Sequence, residues 1–204
     1  MKKLLSGLIA GTLLSLGAQA GVIFEDNFDN EIPDNLVHTG SDTNYNSFTN
    51  WNVYSGTVDL VANGDWGLEC AGGAGKCVDL DGSNGNAGMF GSNDIGLDAG
   101  TYQLTFDISG NQRNSADDSM GVTLGGFFAQ TFVLAADASW QTITHTFTVD
   151  SATTSNIVFN HDGGDNIGIM LDNVSVSSVP EPGTLALLGL GLAGLGVARR
   201  KTKA

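Results

Sequence analysis

Two stretches of this chain alternate their side chains without a break. In Thr101–Ile108 the apolar positions are Tyr102, Leu104, Phe106 and Ile108. In Ile143–Val149 the inward positions are Ile143, His145, Phe147 and Val149, set between threonines. A period of two places successive side chains on opposite faces, the pattern of a strand with one face buried and one in water. Further strands are expected at 22–28, 51–54, 57–61, 78–80, 121–124, 127–134, 156–160 and 167–176, separated by Gly, Asn and Asp. No helical period interrupts them. Two packed antiparallel sheets are the natural solution for many short strands, so the sequence predicts an all-β fold, a β-sandwich. In the last strand the parity of apolar residues changes across Asp172–Asn173. That predicts a β-bulge, which turns Asp172 either towards a site or out into water.

The two ends of the chain do not share this pattern. Lys2 and Lys3 precede an apolar run from Leu4 to Leu16, followed by Ala18-Gln19-Ala20. This reads as a signal peptide, residues 1–20, cleaved after Ala20. At the other end, Thr184–Ala198 is uncharged and is followed by Arg199, Arg200, Lys201 and Lys203. As a helix this segment spans roughly 22 Å, short of a ~30 Å hydrocarbon core, with basic stems that can snorkel. Its glycines make it a poor soluble helix, so a membrane helix over 184–198 is expected, basic end in the cytoplasm. The domain between the ends is residues 21–178.

Charge narrows the partners. Between 21 and 178 only Lys76 and Arg113 oppose twenty-one Asp and Glu, a net charge near −19. Binding to nucleic acid or anionic lipid needs clustered Lys and Arg, so neither is expected as a partner. Such a charge keeps a protein soluble and attracts cations. The cysteines, Cys70 and Cys77, share one glycine-rich loop. In an oxidising compartment this close pair reads as a local disulfide, and no histidine nearby completes a zinc site.

Val179-Pro180-Glu181-Pro182-Gly183, a short apolar segment and an arginine cluster resemble the carboxy-terminal signal of PEP-CTERM proteins. The resemblance implies an exported protein of Gram-negative bacteria whose tail, residues 179–204, is recognised and removed by an exosortase, a membrane-embedded transpeptidase-like enzyme. Pro180, Glu181, Pro182, Arg199 and Arg200 would then be sorting residues. The inner membrane would hold the chain only until processing releases it to the cell surface or medium.

A weaker resemblance covers the core. Phe28-Asp29, Asn50-Trp51-x-Val53, Gly56-Thr57-Val58-Asp59-Leu60 and Val78-Asp79-Leu80-Asp81-Gly82-Ser83 occur in order. They continue with Ala99–Phe106, Gly110-Asn111-Gln112-Arg113, Gly163–Gly168 and Leu171-Asp172-Asn173-Val174. This is similar to galactose-binding-like jelly rolls and jelly-roll carbohydrate-binding modules. It implies a structural calcium held by Asp29 and Asp172, with Glu25 and Asp26 close by. Asp79 and Asp81 offer a second oxygen-rich loop, though one without the spacing of an EF-hand.

For sugar contact the candidates are Trp66 and Tyr45 as aromatic platforms, with Asn111, Gln112 and Arg113 as hydrogen-bonding groups. Trp51, Trp140 and Tyr102 read as core or interface aromatics. His145 reads as a core histidine, and His38 and His161 as loop residues. No G-x-S-x-G elbow is present and neither cysteine has a histidine partner, so no catalysis is expected. The expected function is a non-catalytic surface module that contacts extracellular polysaccharide. The alternatives are a purely structural acidic surface protein and, third, a glycoside-cleaving enzyme using two of the many carboxylates.

Overall fold

The computed structural model describes residues 20–113, 116–180 and 191 of the 204-residue chain. The signal peptide and the membrane helix expected at the two ends lie outside the described residues. Residues 20–179 form one compact unit.

Thirteen strands build that unit: β1 (Val22–Asp26), β2 (Trp51–Ser55), β3 (Asp59–Ala62), β4 (Lys76–Asp79), β5 (Met89–Ser92), β6 (Ile95–Leu97), β7 (Gly100–Ser109), β8 (Asp118–Leu124), β9 (Phe128–Leu134), β10 (Gln141–Val149), β11 (Thr153–Ser155), β12 (Ile157–Asp162) and β13 (Met170–Ser178). One sheet runs β10-β7-β13-β4-β3, with β1 also paired to β13. The second runs β2-β5-β12-β8-β9, and β6 and β11 make a short ribbon. Paired strands are antiparallel throughout. The all-β sandwich expected from the sequence is the fold.

The alternation in the sequence becomes the core. Tyr102, Leu104, Phe106 and Ile108 of β7 are buried, and Phe147 and Val149 of β10 join them. Between the sheets lies an aromatic cluster. Trp51 stacks on Phe90 with ring centroids 4.7 Å apart, and Phe106 meets Phe159 edge-on at 5.3 Å. Each such side chain contributes on the order of 1.5–3 kcal/mol by leaving water. His145, expected in the core, is only half-buried, with its ring 4.7 Å from that of Phe128.

Cys70 and Cys77 are joined in a disulfide that closes the loop between β3 and β4. Met170, Val61 and Leu68 pack with it, and Trp140 rests against that cluster.

The bulge predicted in the last strand is present. The β13–β7 register slips between Asp172 and Ser175, and Asn173 takes a positive φ of 49°. On the opposite flank of β13, β4 pairs with Met170 and Leu171, while β1 pairs with Val174 to Ser177. The bulge therefore falls where β13 passes from one neighbour to the next.

Candidate ligand-binding groove and the acidic clusters around it

A groove of about 810 Å³ opens over this bulge. β7 and β10 supply Thr105, Asp107 and Thr142, and β13 supplies Asn173, Val174 and Ser175. β1 and the loops beside it add Glu25, Asp26, Asn27, Asn30, Glu31, Thr49 and Asn50. Only Val174 among these is apolar. Sheet geometry fixes the floor, because residues two apart on a strand face the same way. Thr142 Oγ1 donates to Asp107 Oδ1 at 2.5 Å, and Asn173 Nδ2 donates to Asp107 Oδ2 at 2.8 Å. Thr105 and Ser175 hydroxyls share a bond of 2.6 Å.

The carboxylates of the groove divide by what they already hold. Asp26 accepts from Phe28 N, Asn50 Nδ2 and Trp51 Nε1, so it ties the wall to the aromatic core. Glu31 accepts from Thr49 N at 2.9 Å and from Thr49 Oγ1. Asp107 is engaged as described. Glu25 is exposed and, among the described residues, has no hydrogen-bond partner. The groove is therefore a rigid frame of amides, hydroxyls and carboxylates with one uncommitted carboxylate at its rim.

Asp172 faces inward rather than into water, at 3 % exposure. Its Oδ1 accepts from Asn173 N at 2.7 Å and its Oδ2 from Ala71 N in the disulfide loop at 3.1 Å. Burial pushes its carboxyl up to about 7, against the pull of those two N–H groups and with Asp29 and Asp107 adding repulsion. Asp29 is held differently. Its Oδ1 accepts from Lys76 N, its Oδ2 from Asn27 Nδ2, and its carbonyl accepts from Lys76 Nζ at 2.6 Å. Calcium takes six to eight oxygens. Here each carboxylate oxygen of Asp29 and Asp172 already accepts an N–H, and the Lys76 ammonium bonds the Asp29 carbonyl. The pair does not fit the calcium that the jelly-roll resemblance implies, and Glu25 stands on β1 in the groove.

A second acidic cluster sits where β4, β8 and β12 end. Asp79 is buried, accepts from Asp81 N and Gly168 N, and faces Arg113 Nη2 at 3.7 Å. Burial raises its carboxyl well above the usual range, which the N–H of Asp81 and the charge of Arg113 only partly offset. Asp81 Oδ2 accepts from Gly164 N and Asp165 N, while its buried Oδ1 has no partner in the described structure. One open oxygen does not make a calcium site. Among the described residues no three His, Cys, Asp or Glu side chains come together as a metal set.

His161, expected in a loop, lies in β12 and is buried. Its Nε2 accepts from Ile169 N at 3.1 Å, which places the ring proton on Nδ1. Desolvation pulls its pKa down despite Asp118 and Asp81 nearby. Gly163 packs against both groups: a Cβ there would fall 2.5 Å from Asp81 Oδ2 and 2.7 Å from His161 Nδ1. Nothing in the sequence pattern marked this histidine, because its strand partners are set by long-range pairing.

The sugar-contact candidates separate. Trp66 is 38 % exposed, on a 3-10 turn between two positive-φ glycines, with its ring edge-on to His38 at 5.5 Å. Tyr45 is not a platform. It is 3 % exposed, packs on Phe48 at 4.5 Å, and its hydroxyl donates to the carbonyls of Ile32 and Ser47. The polar residues around it in sequence are loop residues that fold over the core and bury the ring.

Asn111, Gln112 and Arg113 serve the scaffold. Asn111 Nδ2 donates to Asp118 Oδ2 at 2.7 Å, and Gln112 bonds Glu69 N, Glu69 O and Ser109 Oγ. Arg113 donates to Asn166 O at 2.9 Å and pairs with Asp79. None of the three, nor Trp66, lines the groove.

Fold and tail define a class: a β-sandwich that carries a carboxy-terminal sorting signal. Residues 178–201 match the PEP-CTERM protein-sorting motif. A motif of this kind implies export. The chain is also 30 % identical over 183 residues to a halomucin of Haloquadratum walsbyi. That match takes in 80 % of this chain but only 2 % of the halomucin. The solved structures that the fold resembles include carbohydrate-binding modules, an adhesin domain of a Porphyromonas gingivalis gingipain and a Bacillus thuringiensis toxin. The CBM22-1 xylan-binding domain of Paenibacillus barcinonensis Xyn10C is 10 % identical, with a TM-score of 0.49, over 80 % of this chain and 97 % of that one. The C-terminal CBM6 of a Zobellia galactanivorans laminarinase, LamC, is 12 % identical, with a TM-score of 0.40, over 65 % of this chain and 94 % of that one.

Proposed function

We propose that this chain is exported, processed at its PEP-CTERM tail by an exosortase, and displayed at or beyond the cell surface as a non-catalytic module that contacts extracellular polysaccharide. The observation that carries this reading is the groove over the β13 bulge. Polysaccharide hydroxyls need closely spaced donors and acceptors held in fixed positions. Asn27, Asn30, Asn50, Thr49, Glu25 and Asn173 present such groups on a floor set by three neighbouring strands. The sorting motif supports the location. Trp66 provides a separate aromatic contact outside the groove.

The test is binding of the chain to a panel of polysaccharides, including the producing cell's own. Glu25→Gln and Asn30→Ala should weaken saturable binding at least severalfold while leaving the fold intact. Binding that Trp66→Ala abolishes and the groove variants leave untouched would move the site to the Trp66 turn. No saturable binding by a folded chain would refute the reading in favour of a structural surface protein that works through its charge.

A further inference from the structure

The sandwich protects some of its sheet edges and leaves others open. An unpaired edge is a template for another strand, and proteins blunt edges with charge, bulges, short strands or covering loops. The outer edge of β3 is covered: Asp42 and Leu60 exchange backbone bonds of 2.9 Å, and Tyr45 N donates to Val58 O. β2 is five residues long with a register shift between Val53 and Ser55. β1 is broken by a shift between Val22 and Phe24 and carries Glu25 and Asp26.

β9 and β10 have none of these devices. β10 pairs with β7 over nine consecutive positions with no bulge, and β9 pairs with β8 over seven. Neither strand contains a charged residue or a proline. From Ser119 to Val149 the only Asp, Glu, Lys or Arg is Asp137, in a core that carries a charge near −19. The two open edges lie on one side of the sandwich, since Phe128 of β9 packs on His145 of β10. Among the described residues, no backbone bond from another segment caps either strand.

We propose that this side of the sandwich is a self-association surface, and that its occupant is a second copy of the chain paired antiparallel through β10. Charge selects the partner. Two copies with such a net charge repel wherever their acidic surfaces meet, and β9 and β10 themselves carry no Asp or Glu, Asp107 of the neighbouring β7 being tied to Thr142. The side-chain pattern sets the register. Thr142, Thr144, Thr146 and Thr148 form the exposed face of β10. A two-fold axis at His145 puts Thr144 opposite Thr146 of the second copy and Thr142 opposite its Thr148. Cross-strand threonine pairs of this kind stabilise a sheet. A one-residue slip would set the two faces against each other.

Sedimentation velocity of the full chain over a concentration series tests this. Wild type should form a dimer that strengthens with added salt, because salt screens the repulsion between copies. The double variant Thr144→Lys plus Thr146→Lys sets like charges directly opposite each other in the dimer, and so does Thr144→Glu plus Thr146→Glu. Each alone should self-associate at least about tenfold more weakly while keeping the β-rich circular dichroism of wild type. Mixed in equal amounts, the two should recover the dimer, since each lysine then faces a glutamate. A wild type that stays monomeric at every concentration overturns the proposal. So does a dimer that survives in both variants, as association through the tail would, or a mixture that fails to recover.

Discussion

Asp172 makes the stability of this domain depend on pH in an unusual direction. Its carboxyl rises from 3.8 to about 7 because the bulge buries it. Such a shift corresponds to about 4 kcal/mol between the protonated and ionised forms. Since the folded-state pKa lies above the unfolded one, the contribution is fully present below pH 3.8 and is lost as pH rises through about 7. About 2.5 kcal/mol of it should disappear between pH 5 and pH 8. Urea unfolding of wild type and Asp172→Asn at pH 5, 6.5 and 8 measures the difference. The variant loses one N–H acceptor at every pH, a constant offset, but should lack the slope. His161 acts oppositely. Its lowered pKa gives stability that is present above pH 6.5 and lost as pH falls through the folded value, and this cancels between the two proteins. Parallel pH profiles for wild type and variant would refute the reasoning, because they would mean that Asp172 ionises in the folded protein as readily as in the unfolded chain.

Two further outcomes follow from the packing. Replacing Cys70 and Cys77 with serine frees a loop of seven residues' separation, and should cost about 2.5 kcal/mol in denaturant unfolding if loop closure dominates. Phe90→Ala removes a fully buried ring that contacts Trp51, Phe28 and Phe48, and should lower stability by about 3–5 kcal/mol by the same assay.

The strands most legible in the sequence were those with one wet face, β7 and β10 above all, because half-burial writes a period of two. β5, β6 and β11 left no such trace. β5 contains Gly91, where a Cβ would lie 2.4 Å from the Tyr54 ring, so close packing selected a residue that sequence reasoning reads as a break. β6 and β11 have three residues each, too few to show a period. β1 was expected to reach Phe28 but ends at Asp26, since Phe28 adopts a φ of 58°. The Asp172 bulge was readable because a parity change has no other cheap explanation. The groove was not, for its walls come from segments more than a hundred residues apart. Tyr45 shows the converse error: polar neighbours in sequence said nothing of a ring that folds under them.

The pairing of β1 with β13 sets how a pull at the carboxy-terminal end of the domain would be carried. Ser178, where the sorting motif begins, closes a strand flanked by β7 on one side and by β4 and then β1 on the other. Traction on the chain beyond it therefore enters the middle of a sheet. The hydrogen bonds of β13 lie across the line of pull and share the load in shear, instead of opening one by one as they would on a margin. Gly21 N reaches Ser178 Oγ at 2.9 Å, so the start of the domain braces the end of β13. A pull applied beyond Ser178 would have to part β13 from the strands on both of its sides together.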